Sequence, residues 1–444
     1  AELAKLRPAV SDKADRSLSD YSAVAPLKAQ RLRLGNAGDR KRRFRIYAYC
    51  EWLLGNNRNK AAAFVIPGFN RENRVLTARN PYHVQYGDRV AFMASDARWQ
   101  SVTADRTEFL GRGGATTAPL SVLRGNDLSG TIEAGRDPCA AIACDLEIRP
   151  GETVDILFVT GDAGSDEEAV SLAREHLDRD FDERLADNRR RWEDFGETLQ
   201  VSSPDPAFDA MVNVWLPYQS LACRITARSA FYQASGAFGF RDQLQDTLAL
   251  LLQDPQLART QIINAAGRQF REGDVQHWWL PGNGAGVRTM ISDDVVWLGY
   301  GARHYIHVTG DAAILDEEIA FLEGPELKEG EHDRFFEPDT SDEKASLYEH
   351  CARALDLALS RTGESGVPLI LGGDWNDGMN RVGEKGRGES VWLGWFLLKT
   401  LRDFAPIAES RDDGARARGW LAHADRLQAA LNDRGWDGEW YRRG

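Results

Sequence analysis

The segment TGDAGSDEE, residues 160–168, divides the sequence into two parts of different character. Its glycines and aspartates interrupt the runs of β-forming residues that precede it. Ser165 is a typical helix N-cap residue, and Glu168 stands three residues later, where a glutamate completes a capping box. A long charged helix is therefore predicted to begin here, after a region of strands.

Short runs of β-forming residues fill the sequence between about Leu27 and Val159. Each run shows partial alternation of apolar and polar residues and is bounded by Gly, Asn, Asp or Pro, which is typical of strands that end in turns. We expect antiparallel sheets stacked as a β-sandwich. The predicted strands are 30–34, 44–49, 62–66, 90–94, 142–148 and 154–159.

After Ser165, apolar residues recur at helical spacing from Ala169 to Phe181, and charged residues occupy the other positions. This pattern predicts a linker helix that lies against a neighbouring domain. Beyond Pro204 the spacing stays helical, and Gly- or Trp-rich loops separate the helices, as in an α/α toroid. A closed toroid of six hairpins needs roughly twelve helices. Fewer are predicted, at 208–226, 243–252, 255–270, 293–308, 312–322, 341–361, 390–404 and 415–431.

These patterns predict a multidomain α and β protein in three parts. The parts are a β-sandwich over 1–163, a helical linker over 164–203, and an (α/α)6 barrel catalytic domain over 204–444, whose ring of helices is incomplete at the C-terminus. Because the sequence begins with Ala1 and not methionine, a processed chain or an internal piece of a longer protein is expected. No apolar stretch reaches the roughly 20 residues that span a bilayer, and the first residues lack the apolar stretch typical of a signal peptide. The predicted location is cytoplasmic.

The composition argues against nucleic-acid binding, a disulfide framework and a zinc site. The chain of 444 residues has 42% hydrophobic residues and a net charge of -13, which favours folded domains and disfavours a nucleic-acid partner. Its five cysteines are sparse and lack Cys-x-x-Cys pairs, so a reducing compartment is favoured. Cys139 and Cys144 are predicted to be core thiols on opposite faces of one strand.

Four loop segments of the helical half concentrate aromatic, acidic and basic side chains, at 231–243, 276–281, 288–294 and 372–380. Sugar sites use flat aromatic faces against C–H-rich rings, and charged or amide groups that hydrogen-bond hydroxyls. Trp278, Trp279 and Trp375 are therefore candidate stacking platforms, and the alternative for each is a place in the core.

Three polar positions in these loops have more than one interpretation. Arg241 and Asp242 form either a plain ion pair or a pair that faces a sugar ring, with Asp246 one helical turn further on. His277 could be a general base, a metal ligand, a structural residue or a substrate contact. Because no His or Cys stands at ligand spacing from it, structural or substrate-contacting roles are favoured, and no metal site is predicted.

The segment GGDWNDG, residues 372–378, is the most informative of the loops. Its two glycines permit a tight backbone to which a ligand can approach closely. Inverting cleavage of a glycosidic bond needs a protonated carboxyl beside the leaving oxygen, and Asp377 is the candidate, with Asp374 and Trp375 as its surroundings. A hydrolase needs a second carboxylate to activate water, whereas a phosphorylase uses phosphate as the nucleophile. Asn-Asp-Gly alone is also a common turn.

Three segments in order, 231–246, 373–383 and 386–392, resemble the inverting glycoside phosphorylases of glycoside hydrolase family 94, which includes cellobiose and chitobiose phosphorylases. The likeness covers essentially the whole chain. Within the family, the sequence is most similar to the phosphorylase-like region of cyclic β-1,2-glucan synthases and to 1,2-β-oligoglucan phosphorylases. The resemblance implies a β-sandwich, a linker region, an (α/α)6 barrel and a small C-terminal β domain. Because the family has more strands before the stretch that matches Arg45 to Leu54, it also implies that the β-sandwich over 1–163 is incomplete at its N-terminus.

The resemblance also implies roles for individual residues. Asp377 would be the general acid. Residues expected to bind substrate are Arg241, Asp242, Trp375, Asp374 and Glu389, together with His277, Trp278 and Arg288 on the leaving-group side. Arg228, or else Arg224, is expected to bind phosphate.

Two departures from the family pattern affect the expected activity. Cellobiose-type members carry an additional arginine shortly before the Arg-Asp pair, where this chain has Ser235 to Gly239, which argues against cellobiose as the substrate. A histidine and a hydroxyl residue of the family's phosphate site would fall beyond Gly444. The chain on its own is therefore expected to show weak or no phosphorolysis.

The leading hypothesis is a phosphorylase that cleaves β-1,2-glucan with inversion to give α-glucose 1-phosphate. It needs no cofactor, since inorganic phosphate is a co-substrate. The alternatives are an inverting hydrolase and a non-catalytic module that binds glucan or controls its length. Expected partners are a β-glucan oligosaccharide or polysaccharide, phosphate and the remainder of a larger membrane-bound synthase, without nucleic acid. As part of such a synthase, the chain would lie at the cytoplasmic face of the inner membrane.

Overall fold

The structure is a computed structural model that describes residues 2–4, 26–55, 57–84, 86–98, 101–221, 225, 236–328 and 330–444. The chain forms two compact units, and among the described residues the boundary between them falls after Asp194. The strands of the first unit are β1 (Glu2–Ala4), β2 (Leu27–Gly35), β3 (Arg42–Glu51), β4 (Ile66–Asn70), β5 (Val75–Arg79), β6 (Val90–Ser95), β7 (Ser101–Asp105), β8 (Pro138–Ile148) and β9 (Thr153–Ala163).

These strands form two antiparallel sheets. In the described part of the unit, the larger sheet has the order β1-β2-β9-β6-β5-β4 and the smaller one the order β3-β8-β7. The prediction of stacked antiparallel sheets is thereby confirmed. The helices that accompany them are α1 (Arg58–Ala61), α2 (Arg106–Leu110), α3 (Leu120–Arg124), α4 (Asp166–Asp178) and α5 (Phe181–Glu197).

Strand β6 shows how the layers of this unit are stacked, because all of its residues are buried. Phe92 belongs to an apolar core that includes Ala173 of α4. The adjacent Met93 belongs to a different core, which includes Ile142 of the smaller sheet. Successive side chains of a strand point to opposite faces, so the larger sheet is covered by α4 on one face and by the smaller sheet on the other.

Cys139 and Cys144 occupy β8 and are both buried. They lie in separate apolar clusters, as their odd spacing in a strand predicts.

Two helix starts explain where the first unit differs from the sequence prediction. The strand predicted at 62–66 is wrong, because Asn57 caps a helix by accepting from the Lys60 N–H, and the alanine-rich turn Ala62–Phe64 continues it. The capping box at Ser165 is present, with its hydroxyl accepting from the Glu168 N–H. The single linker helix is broken, because the Asp180 carboxylate accepts from the Glu183 N–H and starts a second helix.

The second unit is mainly helical. Its helices are α6 (Pro206–Ala210), α7 (Leu216–Ser220), α8 (Phe240–Leu250), α9 (Pro255–Ala266), α10 (Asp294–Thr309), α11 (Leu347–Ser360), α12 (Asn380–Gly383), α13 (Val391–Ser410) and α14 (Gly414–Ala430). Its strands are β10 (Phe238–Gly239), β11 (Gln276–Trp279), β12 (Gly286–Thr289), β13 (Glu318–Glu323), β14 (Asp333–Phe336) and β15 (Asp339–Ser346).

Consecutive helices of this unit pack in pairs, α8 with α9, α10 with α11 and α13 with α14. Helix α10 also packs against both α8 and α13, so these three helices form a row. Their apolar faces share one core cluster, as helices with a buried stripe require. The N-terminal ends of α8, α10 and α13 follow the loops in which the sequence concentrates its polar and aromatic residues.

Short β-hairpins interrupt the helical pattern at two places that the sequence predicts as helix. The helix predicted at 312–322 is wrong, because a 3-10 turn at Ala312–Asp316 is followed by β13. The helix predicted at 341–361 begins only at Leu347, because β15 pairs with β13. A second small sheet has the order β10-β11-β12-β14, and it holds His277 and Arg288.

The guanidinium of Arg288 is an internal support of that second sheet. It is 2% exposed and donates two hydrogen bonds of 2.6 Å to the Asp274 carboxylate and one of 3.0 Å to Glu272. It also lies over the Phe270 ring, 4.0 Å from the centroid. These contacts occupy the side chain within the fold.

Arg288→Met is therefore expected to destabilise the second unit by about 3–5 kcal/mol, because it leaves the Asp274 carboxylate poorly solvated and without its cation. The measurement is the free energy of unfolding in urea. Arg402→Met is the control, since Arg402 makes an exposed pair with Asp425 and should cost less than about 1 kcal/mol. Equal losses in the two variants would contradict the prediction.

Candidate active site

The GGDWNDG loop is held by backbone pairing with the segment before α10. The Gly372 N–H donates to the Met290 carbonyl and the Ser292 N–H donates to the Gly373 carbonyl, both at 2.8 Å. Gly373 has a φ of +147°, and a Cβ there would lie 3.0 Å from the Ile291 side chain. Glycine is needed at this close approach, and the pairing brings the start of α10 next to Asp377.

Arg241, at the start of α8, joins these segments. Its Nη1 donates to Asp293 Oδ1 at 2.9 Å and to the Asp374 carbonyl at 2.7 Å. Its Nη2 hydrogen-bonds to Asp377 Oδ1. Burial alone would lower the pKa of Arg241, but the carboxylates of Asp293, Asp294 and Asp377 raise it above the usual value. Arg241 is therefore a permanent buried cation that faces the candidate proton donor.

His277, on β11, approaches Asp377 from another side. Its Nδ1 lies 2.8 Å from Asp294 Oδ2, and its Nε2 lies 4.0 Å from Asp377 Oδ2. Burial opposes the charged ring, but the Asp294 carboxylate overcomes this effect and raises the pKa of His277 to about 9. The imidazole is therefore protonated at neutral pH.

Asp293 and Asp294 are the buried anions of the cluster. Asp293 is fully buried and also accepts a 2.9 Å hydrogen bond from Trp297 Nε1. Burial and the adjacent Asp294 raise the pKa of Asp293, although Arg241 and Trp297 act in the opposite direction. Asp377 differs from both, because its side chain is 59% exposed. The arrangement presents one accessible carboxyl group between a buried guanidinium and a partly buried imidazolium.

Asp374 is a support for the loop and does not face outward. Its side chain is fully buried, and its oxygens accept from Ser390 Oγ and Arg443 Nη2, both at 2.5 Å, and from the Asn376 N–H at 3.0 Å. Burial tends to raise the pKa of Asp374, but the donors, Arg443 first, bring it below the usual value. In this structure the predicted substrate contact of Asp374 is replaced by contacts within the protein.

The three candidate tryptophans have different surroundings. Trp375 is 53% exposed, and its indole N–H donates to Gln245 Oε1 at 3.2 Å, so its face is available for stacking. Trp278 is half-buried, with its ring 5.6 Å from that of Phe335. Trp279 is buried in the core, which corresponds to the alternative interpretation of a core residue.

Asp242 lies in the first turn of α8, where it is half-buried. Its Oδ2 would be only 2.3 Å from a Cβ built at Gly239. The absence of a side chain at Gly239 therefore gives the Asp242 carboxylate room to fold back over the helix start. Its predicted contact with a sugar stays a prediction.

Other predicted site residues lie apart from the Asp377 cluster or outside the described residues. Arg288 is occupied by Asp274 and Glu272, as described above, and Glu389 accepts from the Ser365 N–H at 2.9 Å. None of these partners belongs to the cluster, so both residues support the fold in this structure. The predicted phosphate ligand Arg228, its alternative Arg224, and the sequence 231–235 lie outside the described residues.

Sequence reasoning did not assign roles to several residues that build the site. Asp293 and Asp294 lie in the predicted loop segment 288–294 without an assigned role, although two adjacent acids at a helix start are a usable signal. Gln245 stands four residues after Arg241 and therefore on the same helix face. Arg443 had no local signal, since it reaches Asp374 across 69 positions of sequence.

Both parts of the fold, the sandwich and the paired helices, match models of one family of carbohydrate-active proteins. Residues 191–444 match the family model described as Glycosyl hydrolase 94 superfamily, catalytic domain, and residues 22–179 match Glycosyl hydrolase 94, supersandwich domain. The chain belongs to the glycosyl hydrolase 94 superfamily.

Its curated relatives include a synthase and several phosphorylases. Cyclic beta-(1,2)-glucan synthase NdvB of Rhizobium meliloti (strain 1021) is 54% identical over 419 residues, which are 94% of this chain and 15% of that protein. Solabiose phosphorylase of Paenibacillus borealis is 30% identical over 95% of this chain and 52% of its own length. The chain thus spans about half of this phosphorylase and a smaller part of the synthase.

Among solved structures, a bacterial glucoamylase complexed with acarbose has a similar fold. The TM-score is 0.57 at 12% identity, over 94% of this chain and 58% of that chain. At this identity the likeness concerns the fold alone, which is that of a β-sandwich followed by an α/α toroid.

The described residues include neither a candidate membrane-spanning helix nor a candidate metal centre. None of their helices combines the length and apolar character needed to cross a membrane. No group of His, Cys, Asp and Glu among them is arranged to hold a metal ion.

Ser390 links the GGDWNDG loop to α13, because its hydroxyl donates to Asp374 and accepts from the Leu393 N–H as the helix N-cap. We expect Ser390→Ala to destabilise the second unit by about 2–4 kcal/mol, from the lost cap and the lost hydrogen bond to a buried carboxylate. The measurement is urea unfolding.

The matched control is Ser346→Ala, since Ser346 caps α11 by accepting from the Glu349 N–H. This variant should lose only about 1 kcal/mol. If the two serine variants lose the same stability, the contact with Asp374 does not support the loop.

Proposed function

We propose that this chain is a phosphorylase-type domain that transfers the terminal glucosyl unit of β-1,2-glucan to inorganic phosphate, with inversion, giving α-glucose 1-phosphate. Asp377 acts as the general acid. The observation that carries the proposal is that Asp377 is exposed and placed between Arg241 and His277, whereas Asp293 and Asp294 beside it are buried.

The chemistry requires one proton donor and one nucleophile. Asp377 gives its proton to the glycosidic oxygen as the bond to the anomeric carbon breaks, and a phosphate oxygen attacks that carbon from the opposite face. Trp375 offers an exposed ring on which the sugar can stack. Phosphate is the co-substrate, no other cofactor is proposed, and the phosphate contact of Arg228 stays a prediction.

The choice of β-1,2-glucan rests on the relative at 54% identity, which is named for that polymer. The choice of phosphorolysis rests on the family and on relatives named as phosphorylases. We further propose that the domain works within a larger glucan synthase at the cytoplasmic face of the inner membrane.

A second candidate function is a non-catalytic module that binds glucan or controls its length. It is favoured by one observation, that the synthase relative is much longer than the stretch that this chain matches. In that case the Asp377 cluster would hold a glucan end without cleaving it.

Asp377→Asn separates the two candidates. We expect it to lower phosphate-dependent release of glucose 1-phosphate from β-1,2-glucan by about 100-fold or more, because a general acid contributes roughly that much to the rate. The assay uses the protein at its full natural length, with and without phosphate, and also records the chain lengths of any glucan product.

Asp425→Asn is the control, since Asp425 is an exposed acid on α14 and its loss should leave the rate unchanged. Retained phosphorolysis in Asp377→Asn would contradict the proposed role of Asp377. Cleavage that is indifferent to phosphate would favour a hydrolase. A protein without cleavage, whose glucan length changes in Asp377→Asn, would favour the length-controlling module.

A further inference from the structure

The two oxygens of the Asp377 carboxylate face two different cations. Oδ1 is hydrogen-bonded to Arg241, and Oδ2 is 4.0 Å from Nε2 of His277. Arg241 is a fixed charge because guanidinium does not lose its proton in proteins. The second cation is a histidine, whose charge can be changed by its neighbours.

Asp294 controls the orientation of that histidine. Its Oδ2 lies 2.8 Å from Nδ1, and its side chain is 2% exposed at the first position of α10. A hydrogen bond at Nδ1 fixes the orientation of the ring and leaves the other nitrogen, Nε2, for a second contact. Nε2 is thereby left to point toward the proton donor.

We propose that His277 and Asp294 form a positioning pair for the proton donor, in which Asp294 fixes the ring and His277 presents a positive charge to Asp377. The pair thus sets the pH range in which the site works. This inference rests on the proposed function, since it assigns a role beside Asp377 as general acid. It differs from a substrate contact, because His277 acts through Asp377.

The charges that face His277 come from three elements and give the effect a definite sign. Asp294 on α10 and Asp377 on the loop favour the imidazolium, whereas Arg241 on α8 opposes it, and the pKa of His277 is raised to about 9. The ring is therefore charged over the neutral range. A cation beside a carboxylic acid lowers the pKa of that acid, so the acid gives up its proton more readily and loses it at a lower pH.

His277→Gln removes this charge and keeps a polar side chain. In a plot of log kcat/KM for phosphorolysis against pH, we expect the alkaline limb to move to higher pH by about 0.5–1 unit. This shift is small for the loss of a neighbouring charge, because the Asp377 side chain is largely exposed. We also expect kcat to fall about 3- to 10-fold, because a donor that holds its proton more tightly gives it up less readily.

Two further variants test the mechanism. Asp294→Asn removes the anion that keeps His277 charged, so it should move the limb in the same direction. His277→Lys restores a cation, so its limb should return toward that of the wild type. His307→Gln is the control, because His307 is exposed near the other end of α10 and should leave the profile unchanged.

The full-length protein is assayed from acid to alkaline pH, with thermal unfolding as a check on each variant. A lower rate with an unmoved limb in both His277→Gln and His277→Lys would overturn the proposal, since it would mean that His277 only packs. If Asp294→Asn does not fold, the two His277 variants decide. Full activity of Asp377→Asn would instead overturn the proposed function, so the two failures are distinguishable.

Discussion

The buried guanidinium of Arg241 is the interaction on which the site depends. It bonds to Asp293 at the start of α10 and to the carbonyl and carboxylate of two loop residues, Asp374 and Asp377. Because arginine stays charged, its burial has to be matched by anions. Asp293 is its carboxyl partner inside the protein, and Asp377 is its carboxyl partner at the surface. The loop is thus tied to the helices through the same group that binds the candidate donor.

The positions of the acids follow from the row of helices. Arg241, Asp294 and Ser390 stand at or next to the first residues of α8, α10 and α13. Helix N-termini carry partial positive charge and free N–H groups, which stabilise carboxylates there. Bringing three such ends together lowers the cost of burying Asp293, Asp294 and Asp374. A cluster of this kind would be less stable at helix C-termini.

Periodicity predicted the long elements well and the short ones badly. Helices such as α10 and α13 run for four or more turns, so their apolar stripes are clear in sequence. Strands β10 to β12 have two to four residues, too few for alternation to be visible. Their register nevertheless places Trp278 opposite Gly239, next to the start of α8. Such pairing depends on tertiary contacts that one segment of sequence does not reveal.

The roles of the charged residues in the candidate site also depend on tertiary contacts that a single segment of sequence does not reveal. Asp377, Arg241 and His277 could be nominated from residue type and from the family resemblance, and the structure brings these three together. Arg288 is an equally suitable residue type for binding a sugar, but its side chain is bound by Asp274 and Glu272. These two acids precede β11, the strand that pairs with the strand of Arg288. Nothing in the local sequence distinguishes an arginine that supports a sheet from one that faces a sugar.

The two cations of the site lie on regular secondary structure, whereas Asp377 lies on a loop. Arg241 and His277 belong to regular elements and are held by the buried acids Asp293 and Asp294. Asp377 stands on a loop whose root is fixed by Asp374, and its own side chain is largely exposed. The cations therefore have fixed positions, whereas the exposed side chain of Asp377, the proposed donor, keeps the freedom to adjust to a glycosidic oxygen. An incoming sugar hydroxyl could replace Arg241 at Asp377 without unpairing that arginine, because Asp293 remains bonded to it.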